Sequence, residues 1–256
     1  MIFESHAHYD DERFDEDREQ LLCQMHQAGI GTIVNVGASI ASTSATIELA
    51  KTYDFVYAAV GVHPSDVDDL NEDTFAWLRT QTAFEKTVAV GEIGLDYYWE
   101  KDAKRQENQK FWFRRQLALA RETNLPVIIH SREAAAETMQ LMRQEHAEEI
   151  LGVIHCYSYS KEMALEFVKM GYKIGVGGVV TYNNAKKLVE TVEAIPMEAI
   201  LLETDSPYLT PMPHRGKRNS SLYLPHIVEK IAEITGISAL EVEQITEQNA
   251  RTLFRI

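Results

Sequence analysis

Eight short apolar runs rich in β-branched residues, each followed by a longer stretch of helical periodicity, constrain the fold of this chain more than any other feature. The runs are Ile2–Tyr9, Thr32–Gly37, Val56–His63, Val88–Leu95, Val127–Ser131, Val153–Cys156, Lys173–Val180 and Ile200–Asp205. Helical periodicity occupies the intervals near 15–28, 40–53, 72–84, 103–123, 133–146, 161–170 and 184–194, with a helical tail over about 221–234 and 239–254. Strands that alternate with helices pair in parallel, because each helix carries the chain back to the starting edge of the sheet. Such a chain forms either an open doubly wound sheet or a closed (β/α)8 TIM barrel. The count of eight favours the barrel, and so does the length of 256 residues, since a single barrel typically has about 250. No low-complexity segment or linker interrupts the pattern, so residues 1–256 read as one α/β domain.

The placement of polar residues within these runs gives the second constraint. His6 and His8 lie near the end of the first run, His63 ends the third, and Glu92 lies toward the end of the fourth. His130, His155 and Asp205 stand near the ends of the fifth, sixth and eighth. In a parallel barrel all these ends open on one face, where barrel enzymes keep their active sites. Side chains at i and i+2 of a strand share a face, so the imidazoles of the His6-Ala7-His8 triplet can serve one ion. Imidazole and carboxylate donors without thiolate suit Mg²⁺, Mn²⁺, Zn²⁺ or Co²⁺, and a carboxylate such as Glu92 can bridge two ions. A lone histidine at a strand end is more often a half-buried packing residue. Seven acid and base groups gathered at one mouth would be costly to desolvate without a cation among them. His26, His146, His214 and His226 fall outside the pattern and read as surface or packing residues.

Charge and cysteine content bound the setting. A formal net charge of −14 argues against a protein that coats nucleic acid or an anionic membrane, though not against one that handles a phosphodiester locally. The densest basic run, Arg215-Gly-Lys217-Arg218-Asn219, follows the eighth strand and is expected to hang over the mouth, where it could hold phosphate. Glu203 shares the face of Asp205 and is expected to orient a ligand from behind. Two cysteines, Cys23 and Cys156, are too few for a disulfide framework, and the chain carries neither a signal-peptide pattern nor a spanning apolar run. The expected setting is the cytoplasm, as a monomer with no membrane or obligate protein partner.

Several motifs together carry a resemblance. They are ESHAHYDD (4–11), GVHP (61–64), GEIGLDYY (91–98), PVIIHSR (126–132), HCYS (155–158), LLETDSPYL (201–209), RGKRN (215–219) and NARTLF (249–254). The chain resembles, end to end, the TatD family of metal-dependent deoxyribonucleases, a branch of the amidohydrolase-like barrels. It departs from the family at Glu4, where aspartate is usual. The resemblance implies two divalent ions: His6, His8 and Asp205 at the first, His130 and His155 at the second, and Glu92 between them. It implies hydrolysis of DNA phosphodiester bonds, trimming strand ends, by a metal-activated water. Asp205 is the expected proton acceptor and Glu92 the bridge, with His63 on the substrate phosphate or the leaving group. The same ligands could serve an ester or amide hydrolase, such as a lactonase or an aminoacyl-tRNA deacylase. A catalytically silent binding barrel is the reading from another class.

Overall fold

The computed structural model describes all 256 residues. Its strands are β1 (Ile2–Ala7), β2 (Ile30–Val36), β3 (Val56–Val60), β4 (Thr87–Asp96), β5 (Val127–Arg132), β6 (Gly152–Ile154), β7 (Lys173–Val176) and β8 (Ile200–Leu202). They form one sheet in sequence order, and each neighbouring pair from β1 to β8 is parallel. Seven helices make the crossovers: α1 (Arg18–Gln27), α2 (Ile40–Thr52), α3 (Glu72–Gln81), α4 (Ala103–Thr123), α5 (Ala135–Gln144), α6 (Lys161–Lys169) and α7 (Lys186–Ala194). Two more, α8 (Leu224–Thr235) and α9 (Ala239–Phe254), follow the last strand. This is the (β/α)8 barrel. No helix is long and apolar enough to cross a membrane.

The ring closes between β8 and β1 through little backbone. A single bridge joins Ala7 and Ser206, flanked by His8 N–H to Ser206 O at 2.8 Å and Asp205 N–H to His6 O at 2.9 Å. Buried side chains complete the seam. Ser5 Oγ donates to Leu202 O at 2.8 Å. Glu4 Oε1 accepts from Thr204 N at 2.9 Å, and Glu4 Oε2 accepts from Ser221 Oγ at 2.8 Å. The segment carrying His6 and His8 is therefore locked to the segment carrying Asp205 before any ligand is considered.

A second apolar cluster, apart from the main core, draws Phe3, Val34, Ala59, Ala89, Ile128, Val153 and Leu201 from seven of the eight strands. Only the barrel interior brings so many strands to one place. Leu253 and Phe254 of α9 join it, and the Phe254 ring lies 5.9 Å from that of Phe3. The last helix thus plugs the floor, and the polar residues are confined to the opposite end. A capping box between Ser238 and Glu241 starts that helix, satisfying amide groups that its first turn leaves unpaired.

Several expected strands are shorter in the structure. The third ends at Val60 rather than His63, the sixth at Ile154 rather than Cys156, the seventh at Val176 rather than Val180, and the eighth at Leu202 rather than Asp205. Strands splay at the mouth of a barrel, so the backbone ladder runs out before the apolar run does. His63, His155 and Asp205 therefore sit on the first residues of loops. After β7, Gly178 lies where a Cβ would strike the Leu209 carbonyl, and the chain turns there through a short 3-10 segment, Gly178–Thr181. The tail also begins differently. Residues Ser221–Tyr223 form a 3-10 turn, and α8 starts beside Pro225, whose missing N–H is harmless in a first turn.

Candidate metal centre

Glu92 is the hub of the mouth, and its two oxygens face different partners. Oε2 lies 3.5 Å from His6 Nε2 and 3.6 Å from His8 Nε2. Oε1 lies 2.7 Å from His130 Nδ1 and 2.9 Å from His155 Nε2. Asp205 Oδ1 joins the first set, 3.7 Å from His6 Nε2 and 3.4 Å from His8 Nε2, and those two nitrogens are 3.1 Å apart. Donors held at about 2.1 Å around one ion stand about 3.0–3.4 Å from each other, by the geometry of an octahedron or tetrahedron. The spacings in the first set match that figure within a few tenths of an ångström. In donor type and spacing, then, these residues fit a divalent cation.

The outer nitrogens are arranged to suit. His8 Nδ1 lies 2.8 Å from the Val36 carbonyl, which accepts its hydrogen bond, so that Nε2 is the nitrogen turned to the carboxylates. His130 Nε2 lies 3.0 Å from Asp96 Oδ2, so its Nδ1 is the nitrogen left for Glu92's side. His6 and His155 stack, with ring centroids 3.8 Å apart. Both keep a buried Nδ1 without a partner, next to a Glu203 oxygen that also has none. These three groups form a compact cluster on the far side of the two imidazoles from Glu92. Glu203 is fixed there by Cys156 N–H, which donates to Oε1 at 2.6 Å, and its carboxylate fills the space that the missing side chain of Gly175 leaves open.

The electrostatics show what the pocket demands. Burial alone would push the Glu92 carboxyl up, but the charges of His155 and His63 and the hydrogen bond from His130 hold it well below the usual carboxylate range. Burial opposes protonation of His8, yet Asp205 and Glu92 outweigh it and hold His8 up at about 9. His155 is likewise raised, against burial, by Glu92 and Glu203. The carboxylates thus keep a positive charge in the pocket, and a divalent ion taken up by the same donors would displace protons from them.

His63 also reaches the Glu92 carboxylate and is close enough to share an ion with Glu92 and His130. Its Nε2 is 3.7 Å from Glu92 Oε1, and its Nδ1 accepts from Ser65 N–H at 3.1 Å, capping the 3-10 turn Pro64–Asp69. Burial, aided by the charge of His130, pushes its pKa down to about 3. With Nδ1 accepting, the proton of the neutral ring belongs on Nε2, so His63 presents a donor.

These groups line a cavity of about 740 Å³ that holds His8, His63, Glu92, His130, His155 and Asp205 together. The basic run is not among its lining residues. Arg218 is turned to Asp17, with Nη1 to Oδ1 at 2.8 Å, and lies over the Phe14 ring. Arg215 lies over the Tyr182 ring at 4.5 Å. Lys217 is exposed. The expectation that all three hang over the metal site is corrected here: a partner distant in sequence holds Arg218. The one basic side chain in the lining is Arg132, which joins Trp99 and Asp96 there. Sequence reasoning passed over all three. Asp96 could have been found, because it lies an even number of residues beyond Glu92 on the same strand.

Comparison with known proteins bears on the same residues. A family model described as TatD related DNase matches residues 3–255. The chain is 43% identical over 256 residues to the metal-dependent hydrolase YabD of Bacillus subtilis, covering all of both. It is 33% identical over 250 residues to the 3'-5' ssDNA/RNA exonuclease TatD of Pectobacterium parmentieri, covering 95% of each. Among solved structures, the TatD homologue YjjV of Escherichia coli superposes with a TM-score of 0.93 at 32% identity, covering 100% of this chain and 98% of that one.

Proposed function

The chain belongs to the family of TatD-related DNases, and we propose that it is a nuclease of that family, using two divalent ions to hydrolyse phosphodiester bonds at DNA strand ends. Family membership and the clustered histidines and carboxylates support a metal-dependent hydrolase. The observation that carries the two-ion reading is the division of Glu92, one oxygen to each donor set. His6, His8 and Asp205 would hold one ion and His130 and His155 the other, with Glu92 shared between them. Bound Mg²⁺, Mn²⁺, Zn²⁺ or Co²⁺ supplies Lewis acidity, easing deprotonation of water and taking up charge on the phosphate. Asp205 lines the cavity with 18% of its side chain exposed, so it is placed to accept the proton of the attacking water. His63 offers its Nε2–H to a phosphate or leaving-group oxygen. Of the basic run, Lys217 and Arg215 remain as rim contacts for phosphate, while Arg218 serves the fold.

A second reading has one observation in its favour. Outside its histidines the cavity is lined by six carboxylates and a single arginine, Arg132, which would suit a small uncharged ester as well as a nucleotide. One experiment separates the readings. The purified protein is freed of metal by chelation, then assayed with each ion on end-labelled single- and double-stranded DNA, RNA and a panel of esters and lactones. Phosphodiester cleavage that vanishes on chelation and returns with metal is expected. Cleavage that survives in metal-analysed, chelated protein rejects the mechanism, ester turnover alone selects the second reading, and no turnover at all leaves a binding barrel.

A further inference from the structure

Trp99 is 69% exposed and Tyr98 41%, on the turn that follows β4. Exposed aromatic residues are common on soluble proteins and carry no argument by themselves. Trp99 differs in its placement, for it lines the same cavity as Glu92 and His130. Its backbone is also anchored to the metal donors. Asp96 Oδ1 accepts from Tyr98 N–H at 2.9 Å and from Trp99 N–H at 3.0 Å, while Oδ2 of the same carboxylate lies 3.0 Å from His130 Nε2. One side chain thus ties the backbone of Trp99 to a candidate ion ligand. Arg132, two residues beyond His130, places its guanidinium 4.0 Å from the Tyr98 ring centroid and 5.7 Å from that of Trp99.

We propose that Trp99, with Tyr98 and Arg132, forms a stacking platform for the unpaired nucleobase next to the scissile phosphodiester. The inference rests on the nuclease reading and deepens it. A nucleotide combines a flat base with an anionic phosphate, and the platform offers a flat ring beside a guanidinium that adjoins the ion-binding donors. Beyond the ion-binding donors the lining adds Asp10, Asp11 and Asp66, so stacking supplies affinity that those side chains do not. A base inside a duplex has both faces covered, so stacking on Trp99 takes a base at a strand end or in an unpaired segment. Tyr208 repeats the arrangement on the loop after β8: it lines the cavity, is 46% exposed, and carries the Arg13 guanidinium 4.1 Å from its centroid. Three strands lie between β4 and β8 on either side of a ring of eight, so the two aromatic walls face each other across the mouth.

The test uses the metal-loaded protein, an all-thymine oligonucleotide, and an abasic oligomer of equal length and charge. Trp99→Ala is expected to raise KM for the thymine oligomer by about 5- to 150-fold, the range for one stacked base, and Trp99→Tyr to recover much of the loss. Removing the bases and removing the indole should not add, because each deletes the same contact. Binding is read separately with a methylphosphonate-linked pentathymidine, which keeps the bases and sheds the charge. It should quench tryptophan fluorescence in the wild type and not in Trp99→Ala. An unchanged KM together with unchanged quenching overturns the platform. Quenching that depends on Trp99 in a protein that cleaves no phosphodiester keeps the platform and rejects the nuclease reading. Cleavage indifferent to Trp99 does the reverse.

Discussion

The tolerance that bears most directly on the candidate ligands is at Gly175. A Cβ there would collide with Glu203 Oε2, whereas at Gly177 the nearest atom, the Glu203 carbonyl oxygen, is 3.4 Å away, an ordinary contact. Glu203 can retreat only by leaving Cys156 N–H, which would bury an unpaired amide and move the carboxylate behind His6 and His155. Gly175→Ala is therefore expected to destabilise the fold by about 1–3 kcal/mol, lowering Tm by several degrees. It should also lower metal content after dialysis, because both stacked imidazoles lose their shared carboxylate. Gly177→Ala is the control and should retain both properties. Equal behaviour of the two variants, by calorimetry and metal analysis, would return Glu203 to a purely packing role. The place of Glu203 behind a ligand was legible in the sequence, but the choice between the two glycines was not, since they look alike there. Which one faces Glu203 depends on the register of β7 against β8.

The vulnerable element is the seam between β8 and β1, closed by side chains where the backbone ladder is thin. Glu4 departs from the aspartate usual in the family, and its longer side chain spans from β1 to Thr204 and Ser221. Burial pushes its pKa from an ordinary 4.5 up to about 8, against hydrogen bonds from Thr204, Ser221 and His6. Between those values the folded chain holds a proton that the unfolded chain has released. Stability contributed by this group therefore falls as pH rises through that window, and stays reduced above it. Glu4→Gln keeps the shape without the exchangeable proton. Its Tm should lose this part of the pH slope and exceed that of the wild type above about pH 8. Parallel Tm curves for the two proteins from about pH 5 to 9 would exclude Glu4 as the source. At this scale much was readable from the sequence: eight apolar runs and the helices between them specify the strands, their order and the end that carries the histidines. The strand ends were not readable, because the ladder stops where neighbours diverge, a property of pairs of strands rather than of either one. Asp96 was within reach through its even spacing from Glu92. The pairing of Arg218 with Asp17 was not, since 201 residues separate the partners.

The whole molecule carries a net charge of −14 and bears its candidate site in an acid-lined cavity. Its association with a polyanion should therefore differ from that of a basic nuclease. For single strands, each neutralised phosphate contributes about −0.7 to the slope of log affinity on log salt. With Arg132 in the cavity and Lys217 and Arg215 as the proposed phosphate contacts, the slope of log kcat/KM at fixed metal should be no steeper than about −2.1. A titration from low to physiological salt measures it, and a slope several times steeper would reveal a basic track elsewhere on the surface. The shared carboxylate of Asp96 has a further bearing, on how such a molecule can be altered. Because the same side chain orients His130 and fixes the turn that carries Trp99, a change in the length of that turn would be felt at the ligands. Directed evolution of a new substrate preference should therefore gather its accepted changes on the loops after β7 and β8, leaving the β4 loop to vary only in the side chains it displays.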